Sequence, residues 1–306
     1  MKSSDGLIGR SCPVCGAAEG RGWLEKRGLW LARCARCSMV YVSPAPAAMA
    51  SGRYYEQAGR EYYLSPAKLE SDYAAERFER ELDLFRKHCR RGEVLDVGCS
   101  SGAFLFHLKG RFPGEYEVVG TDVSGAPLDY AESRGVPVVR GDFLAQDFGG
   151  RHFDAVTFWA VLEHLAEPGL FVERAWRALK PAGVCLVLVP NLGSLAMRLL
   201  GARYRYVYPQ HLNYFTQASL RRLVAERFVV VETRFTHFNP VVIWQDWRGQ
   251  GAEVSNLERA ALLKRTTAWK RNPWLGPIKG LYRLAERALG RWGLADNLAM
   301  ALRKKP

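Results

Sequence analysis

No run in the sequence approaches the roughly 18 apolar residues that a membrane-crossing helix needs, and no apolar stretch follows a basic N-terminal region. The chain is therefore read as carrying neither a signal peptide nor a transmembrane segment. Acids are scarce relative to bases: 31 Asp and Glu stand against 44 Lys and Arg, a formal net charge of +13. Such a balance directs attention to anionic partners. A secreted, disulfide-stapled pattern is also missing, because four of the seven cysteines cluster in two pairs while Cys89, Cys99 and Cys185 are scattered. A reduced, cytoplasmic setting is the expectation. Apolar content is not lacking: 48% over 306 residues suffices for a full core, one main domain and small additions.

The stretch Glu93-Val94-Leu95-Asp96-Val97-Gly98-Cys99-Ser100-Ser101-Gly102 reads as a strand, a turn of small residues and a helix start. Thr121-Asp122 closes the next apolar run, so an acid ends the second strand as in nucleoside-cofactor crevices. Gly98 permits a sharp turn, and the small residues at 100 to 102 let a ligand approach the main chain. Asp96 narrows the choice. A carboxylate inside the turn repels a pyrophosphate and neutralises a cation, which favours S-adenosylmethionine (SAM) over NAD.

Residues 91 to 235 and the extreme C-terminus resemble the class I SAM-dependent methyltransferases, whose first motif is an acid-x-Gly-x-Gly-x-Gly turn; the middle glycine is Ser100 here. The resemblance implies an α/β fold, a Rossmann-like seven-stranded sheet with helices on both faces, and SAM as cofactor. It assigns the cofactor to Asp96, Gly98, Ser100 and Gly102 of the turn, with Cys99 as a small filler there, and to Asp122 and Val123 at the ribose. Asp142, in Arg140-Gly141-Asp142-Phe143, would meet the adenine amino group with Phe143 beside the base. Trp159, leaving the fourth strand, would lie near the transferred methyl.

Cys12-Pro13-Val14-Cys15 and Cys34-Ala35-Arg36-Cys37 make a C-x2-C-x18-C-x2-C pattern, the spacing that gathers four thiolates around one tetrahedral zinc ion. Four sulfurs leave no open position, so the metal is expected to be structural. The reading is a zinc ribbon over 1–45, a connecting segment and helix over 46–90, and the main domain over 91–306. Tyr54, Tyr55, Tyr62 and Tyr63 suit either a lid over the pocket or glue between ribbon and core. Lys68 to Arg91 reads as one long helix. Strands are expected near 93–98, 116–121, 136–140, 153–159 and 183–189, helices near 102–111, 124–134 and 168–180, then a helix from Thr216 and a strand over 228–235. Asn297 to Arg303 resembles the antiparallel last strand of the methyltransferase sheet, which makes 236–294 an insertion.

Chemistry belongs at the carboxyl ends of the strands. Two segments there carry ionisable groups: Trp159-Ala160-Val161-Leu162-Glu163-His164 and Tyr208-Pro209-Gln210-His211. A hydroxyl acceptor needs its proton removed, a task for a histidine. His211 is the leading base, with His164 as its orienting partner or an alternative base, and Glu163 completes the catalytic candidates. Both segments, together with the zinc pattern, resemble sugar C-methyltransferases, except that Pro209-Gln210-His211 replaces a His-Glu-His and so lacks a carboxylate for removing a carbon-bound proton. The broader match is to the ubiquinone-pathway O-methyltransferase group, which favours an oxygen acceptor on a small molecule, saccharide or lipid-linked glycan. No Pro-Pro-Tyr stretch after the fourth strand suits amino methylation.

Residues 256–306 hold 12 Lys and Arg against 3 Asp and Glu, interleaved with Leu and Trp. The segment 256–292 is read as a contact for a membrane inner face, with RNA as the rival partner and a solvated helical face as the plain alternative. The non-enzyme reading is a zinc-ribbon binding module on an inactive Rossmann scaffold. Nothing in the sequence fixes an oligomeric state.

Overall fold

The computed structural model describes residues 6–249 and 276–306. Strands β1 (Leu7–Ile8), β2 (Gly20–Lys26), β3 (Leu29–Cys34), β4 (Val40–Val42) and β5 (Ala45–Pro46) come first, then helices α1 (Ala47–Ala50), α2 (Arg53–Tyr63), α3 (Pro66–Asp72) and α4 (Glu79–His88). An alternating stretch follows: β6 (Gly92–Val97), α5 (Ala103–Arg111), β7 (Tyr116–Asp122), α6 (Gly125–Ser133), β8 (Val138–Arg140), β9 (Phe153–Trp159), α7 (Pro168–Ala178) and β10 (Leu179–Pro190). The chain closes with α8 (Leu195–Leu200), β11 (Asn213–Tyr214), α9 (Gln217–Val224), β12 (Phe228–Thr236), α10 (Pro240–Arg248), α11 (Gly276–Arg291) and β13 (Asn297–Lys304). No helix among the described residues is long and apolar enough to cross a membrane.

The main sheet has seven strands in the order β12-β13-β10-β9-β6-β7-β8. Strands β6 to β10 pair in parallel, and β13 runs antiparallel between β10 and β12. The chain moves outward from β6 to β7 and β8, then returns to place β9 on the other side of β6. Open α/β sheets place their ligand crevice at such a reversal. Side chains alternate across the strands and feed two cores. Val94, Val118, Ala155 and Leu186 pack with Phe85, Phe104 and Leu108 on one face. Leu95, Val119, Val156 and Val187 pack with Val172, Ala175 and Leu220 on the other. Thr216 caps α9 through a reciprocal bond with Ser219, as its position before an amphipathic run requires.

The helix expected over 68–91 is two helices, α3 and α4, joined by residues 73–78. The reason is tertiary. In a continuous helix the Asp72 carbonyl would accept an N–H one turn ahead, but here it accepts from His107 Nε2 at 3.0 Å. The Tyr73 hydroxyl donates to the Ser101 carbonyl at 2.5 Å, which docks this corner on the cofactor-type turn.

The N-terminal ribbon is stitched to the main domain. Its sheet has the order β11-β4-β3-β2, so its edge strand β11 comes from residues 213–214. The Val42 N–H donates to the Leu212 carbonyl at 2.9 Å. Arg10 adds Nη1 to Leu212 O at 3.1 Å and Nη2 to Asn213 Oδ1 at 3.1 Å. Of the basic segment over 256–292, residues up to 275 lie outside the described ones, and 276–291 form α11.

Candidate active site

The turn after β6 is built from left-handed backbone. Gly98 has φ +70°, Ser100 +50° and Gly102 +73°. At Gly98 a Cβ would also lie 2.6 Å from Val161 Cγ2, and at Gly102 2.9 Å from Ala131 Cβ. Both positions therefore need glycine. We expect Gly98→Ala to lower stability by about 2–4 kcal/mol, from the left-handed penalty plus overpacking, a loss that denaturant titration measures. Ser100 holds a conformation that glycine adopts freely, which explains why the related motif has glycine there; the strain is about 1–2 kcal/mol.

The Ser100 N–H donates to Asp122 Oδ2 at 2.9 Å, and the Ser124 N–H to Oδ1 at 2.9 Å. Each carboxylate oxygen retains a lone pair for a further donor, such as a ribose hydroxyl. Burial raises the Asp122 pKa. Asp96 is buried, with the Thr157 hydroxyl donating to its Oδ1 at 2.6 Å. Burial pushes its pKa up to about 7, against the Thr157 bond and with a contribution from Asp122. A buried acid that faces another acid is poised for a cationic ligand.

Two more polar atoms support a ligand here. Ser100 Oγ and Trp159 Nε1 are buried and make no hydrogen bond within the described structure. Buried groups of this kind cost free energy unless something pairs with them. The residues present thus fit SAM. Val123 is exposed beside Asp122. Asp142 is exposed and accepts the Leu144 N–H at 3.0 Å. Phe143 is a core ring, enclosed by Phe148, Phe158 and Phe171, so little of it faces the crevice. Cys99 points inward against Gly120, in keeping with a filler.

Glu163, His164 and His211 come together: one ligand-type atom from each lies within 4.8 Å of the others. The Glu163 side chain is 1% exposed and neither oxygen has a hydrogen-bond partner within the described structure. Burial pushes its pKa up to about 8, so at neutral pH it is mainly a carboxylic acid. His164 Nδ1 lies 2.7 Å from both the Tyr55 hydroxyl and the Gln210 carbonyl. A carbonyl only accepts, so Nδ1 carries the proton and Nε2 turns toward Glu163. The same logic applies to His211. Its Nδ1 donates to the Tyr206 carbonyl at 3.1 Å, and the Tyr208 hydroxyl reaches Nε2 at 2.9 Å. The two rings pack with centroids 4.9 Å apart.

Helix α2 spans this site. Tyr55 bonds His164 and the Gln210 carbonyl, and the Gln210 side-chain amide donates to the Tyr54 hydroxyl at 3.0 Å. Helix α2 also packs against α6. Tyr63 is held well above its ordinary pKa, mainly by burial, then by Asp122 and more weakly by Glu163. The sequence offers Tyr55 only as lid or glue and Tyr208 only as a neighbour of His211; their bonds to the two histidines appear in the fold.

At the ribbon, Cys12 Sγ lies 3.4 Å from Cys37 Sγ and Cys15 Sγ 3.6 Å from Cys34 Sγ, with all four sulfurs within 4.8 Å of one another. These are not disulfide separations. Tetrahedral bonds of about 2.3 Å would set sulfurs about 3.8 Å apart, so the four thiols are placed to hold one metal ion.

The Methyltransferase domain family matches residues 70–232. A ubiquinone biosynthesis O-methyltransferase of Cereibacter sphaeroides is 30% identical over 154 residues, 47% of this chain and 60% of that protein. The chain thus spans less than two thirds of that relative. The enzyme of the same name from Ruegeria pomeroyi is 28% identical over 231 residues, 67% of this chain and 87% of that one. A solved SAM-dependent methyltransferase from Thermotoga maritima shares the fold, with a TM-score of 0.53 at 16% identity, covering 84% of this chain and 100% of its own. With the seven-stranded sheet, the crevice at β6 and a match over more than half its length, the chain belongs to the methyltransferase-domain family.

Proposed function

We propose that this chain transfers the methyl group of SAM to a hydroxyl of a small molecule, saccharide or lipid-linked glycan, with His211 as general base. When bound, SAM supplies an electrophilic methyl on a cationic sulfur. Asp96 would hold its ammonium group, Asp122 the ribose, and the turn at 98–102 would admit the rest. His211 carries the reading: its Nδ1 proton is committed to the Tyr206 carbonyl, which leaves Nε2 as the basic atom. An acceptor hydroxyl that takes the Tyr208 position would lose its proton to Nε2 as the new bond forms. Glu163, largely protonated near neutral pH, can donate to an acceptor oxygen, and His164 is oriented by Gln210 and Tyr55.

Oxygen is favoured over carbon for a specific reason. Gln210 has no carboxylate, and its amide is engaged with Tyr54 of α2. The O-methyltransferase relatives agree with this reading. We assign the four-cysteine cluster to a structural zinc ion, since sulfur would fill all four positions. The test is product analysis after incubation with methyl-labelled SAM and panels of phenolic, saccharide and lipid-linked acceptors. Label in a methyl ether supports the reading; label on carbon or nitrogen overturns it.

A further inference from the structure

Helix α10 presents an unusual outward face. Asn239 caps it by accepting the Val242 N–H at 3.2 Å, and Pro240 opens it. Val242 and Asp246 face inward at i and i+4 spacing, Val242 into an apolar cluster shared with Ala196, Met197 and Leu200 of neighbouring α8. Outward, at three-residue spacing, stand Val241, Trp244 and Trp247, 55%, 54% and 59% exposed. Leu199 of α8 is 57% exposed. Two tryptophans in water on one short helix mark a contact surface rather than a solvated face.

The charges select the partner. No Asp or Glu occurs between residues 174 and 225. The single acid of α10, Asp246, is buried in an ion pair with Arg205. Arg198, Arg203 and Arg248 are exposed, and the Arg248 guanidinium lies 4.8 Å over the Trp244 ring. Tryptophan, aliphatic residues and arginine without acids suit the headgroup boundary of an anionic bilayer. Nucleic acid would use the cations and rings but give Val241 and Leu199 no contact of their own kind.

We infer that the outward face of α8 and α10 docks on an anionic lipid bilayer. This face lies outside the basic 256–292 segment. It is also tied to the active site. The Arg205 N–H and Nε donate to Asp246 Oδ2 and Oδ1 at 2.8 and 2.7 Å, and Nη2 donates to Gln245 Oε1 at 2.9 Å. The next residue, Tyr206, orients His211 through its carbonyl. The loop that presents the base thus packs on the inward side of α10, behind the face that would meet the bilayer. Docking stands apart from the methyl-transfer reading.

The test is co-sedimentation of the full chain with phosphatidylcholine vesicles, with and without phosphatidylglycerol. Binding is expected only with phosphatidylglycerol and should weaken with salt. Trp244→Ala/Trp247→Ala should bind at least about tenfold more weakly with its SAM affinity unchanged. Leu199→Ser, on the other helix, should weaken binding independently. Absence of wild-type binding, equal binding by the variants, or a preference for RNA over vesicles would overturn the inference. So would self-association that the double substitution abolishes. Vesicle binding needs no SAM, so its failure is separable from failure of the enzymatic reading.

Discussion

Zinc removal by chelation, or Cys34→Ser, is expected to reduce turnover by about 10²-fold while SAM affinity stays within about twofold. No thiol of the ribbon needs to touch substrate for this. The ribbon's β4 pairs with β11, and Val42 and Arg10 hold the Leu212 carbonyl, one residue beyond His211. Cys12 and Cys34 are buried in the same cluster as Phe158 and Phe215. Without the metal the two knuckles lose their common tether, and His211 loses its fixed position. The turn with Asp96 and Asp122 is built within β6 and β7 and has no such dependence. Metal analysis should give one zinc per chain, and turnover of zinc-free protein, with SAM binding as control, checks the rest. Full turnover without metal would refute the structural role.

His211→Ala should lower kcat by about 10²–10⁴-fold, the range for a positioned proton acceptor, with SAM affinity unchanged. The substitution removes the Nε2 that the Tyr208 hydroxyl reaches at 2.9 Å and leaves the cofactor crevice untouched. His164→Ala should cost less, since its Nδ1 serves the Gln210 carbonyl and the Tyr55 hydroxyl rather than the acceptor directly. Steady-state kinetics on both variants distinguishes the roles. Equal losses would make the pair a single unit, and an active His211→Ala would remove it from the mechanism.

Much of the fold was legible because parallel strands alternate with amphipathic helices, and a glycine turn with flanking acids is conspicuous in any order of reading. Three features were hidden for physical reasons. The break at Tyr73 depends on His107 taking the Asp72 carbonyl, a partner 35 residues away. Strand β11 has two residues, too few for any periodicity to show. Glu163 is a catalytic candidate in the sequence, but only the packed chain reveals both its oxygens shut away from water. Ser100 was visible as a departure from a glycine motif, but its left-handed backbone was not.

The central claim is that the crevice at β6 holds SAM by its positive charge, and calorimetric titration of SAM across pH tests it most directly. Asp96 in the free protein has its pKa raised to about 7, whereas a bound ammonium group favours the carboxylate. Its proton must therefore leave on binding, and affinity should fall by up to about tenfold per pH unit below that value and level off above it. In Asp96→Asn both the affinity and its pH dependence should be lost. Unaltered SAM affinity in that variant, or no saturable binding by the wild-type chain, would contradict the account.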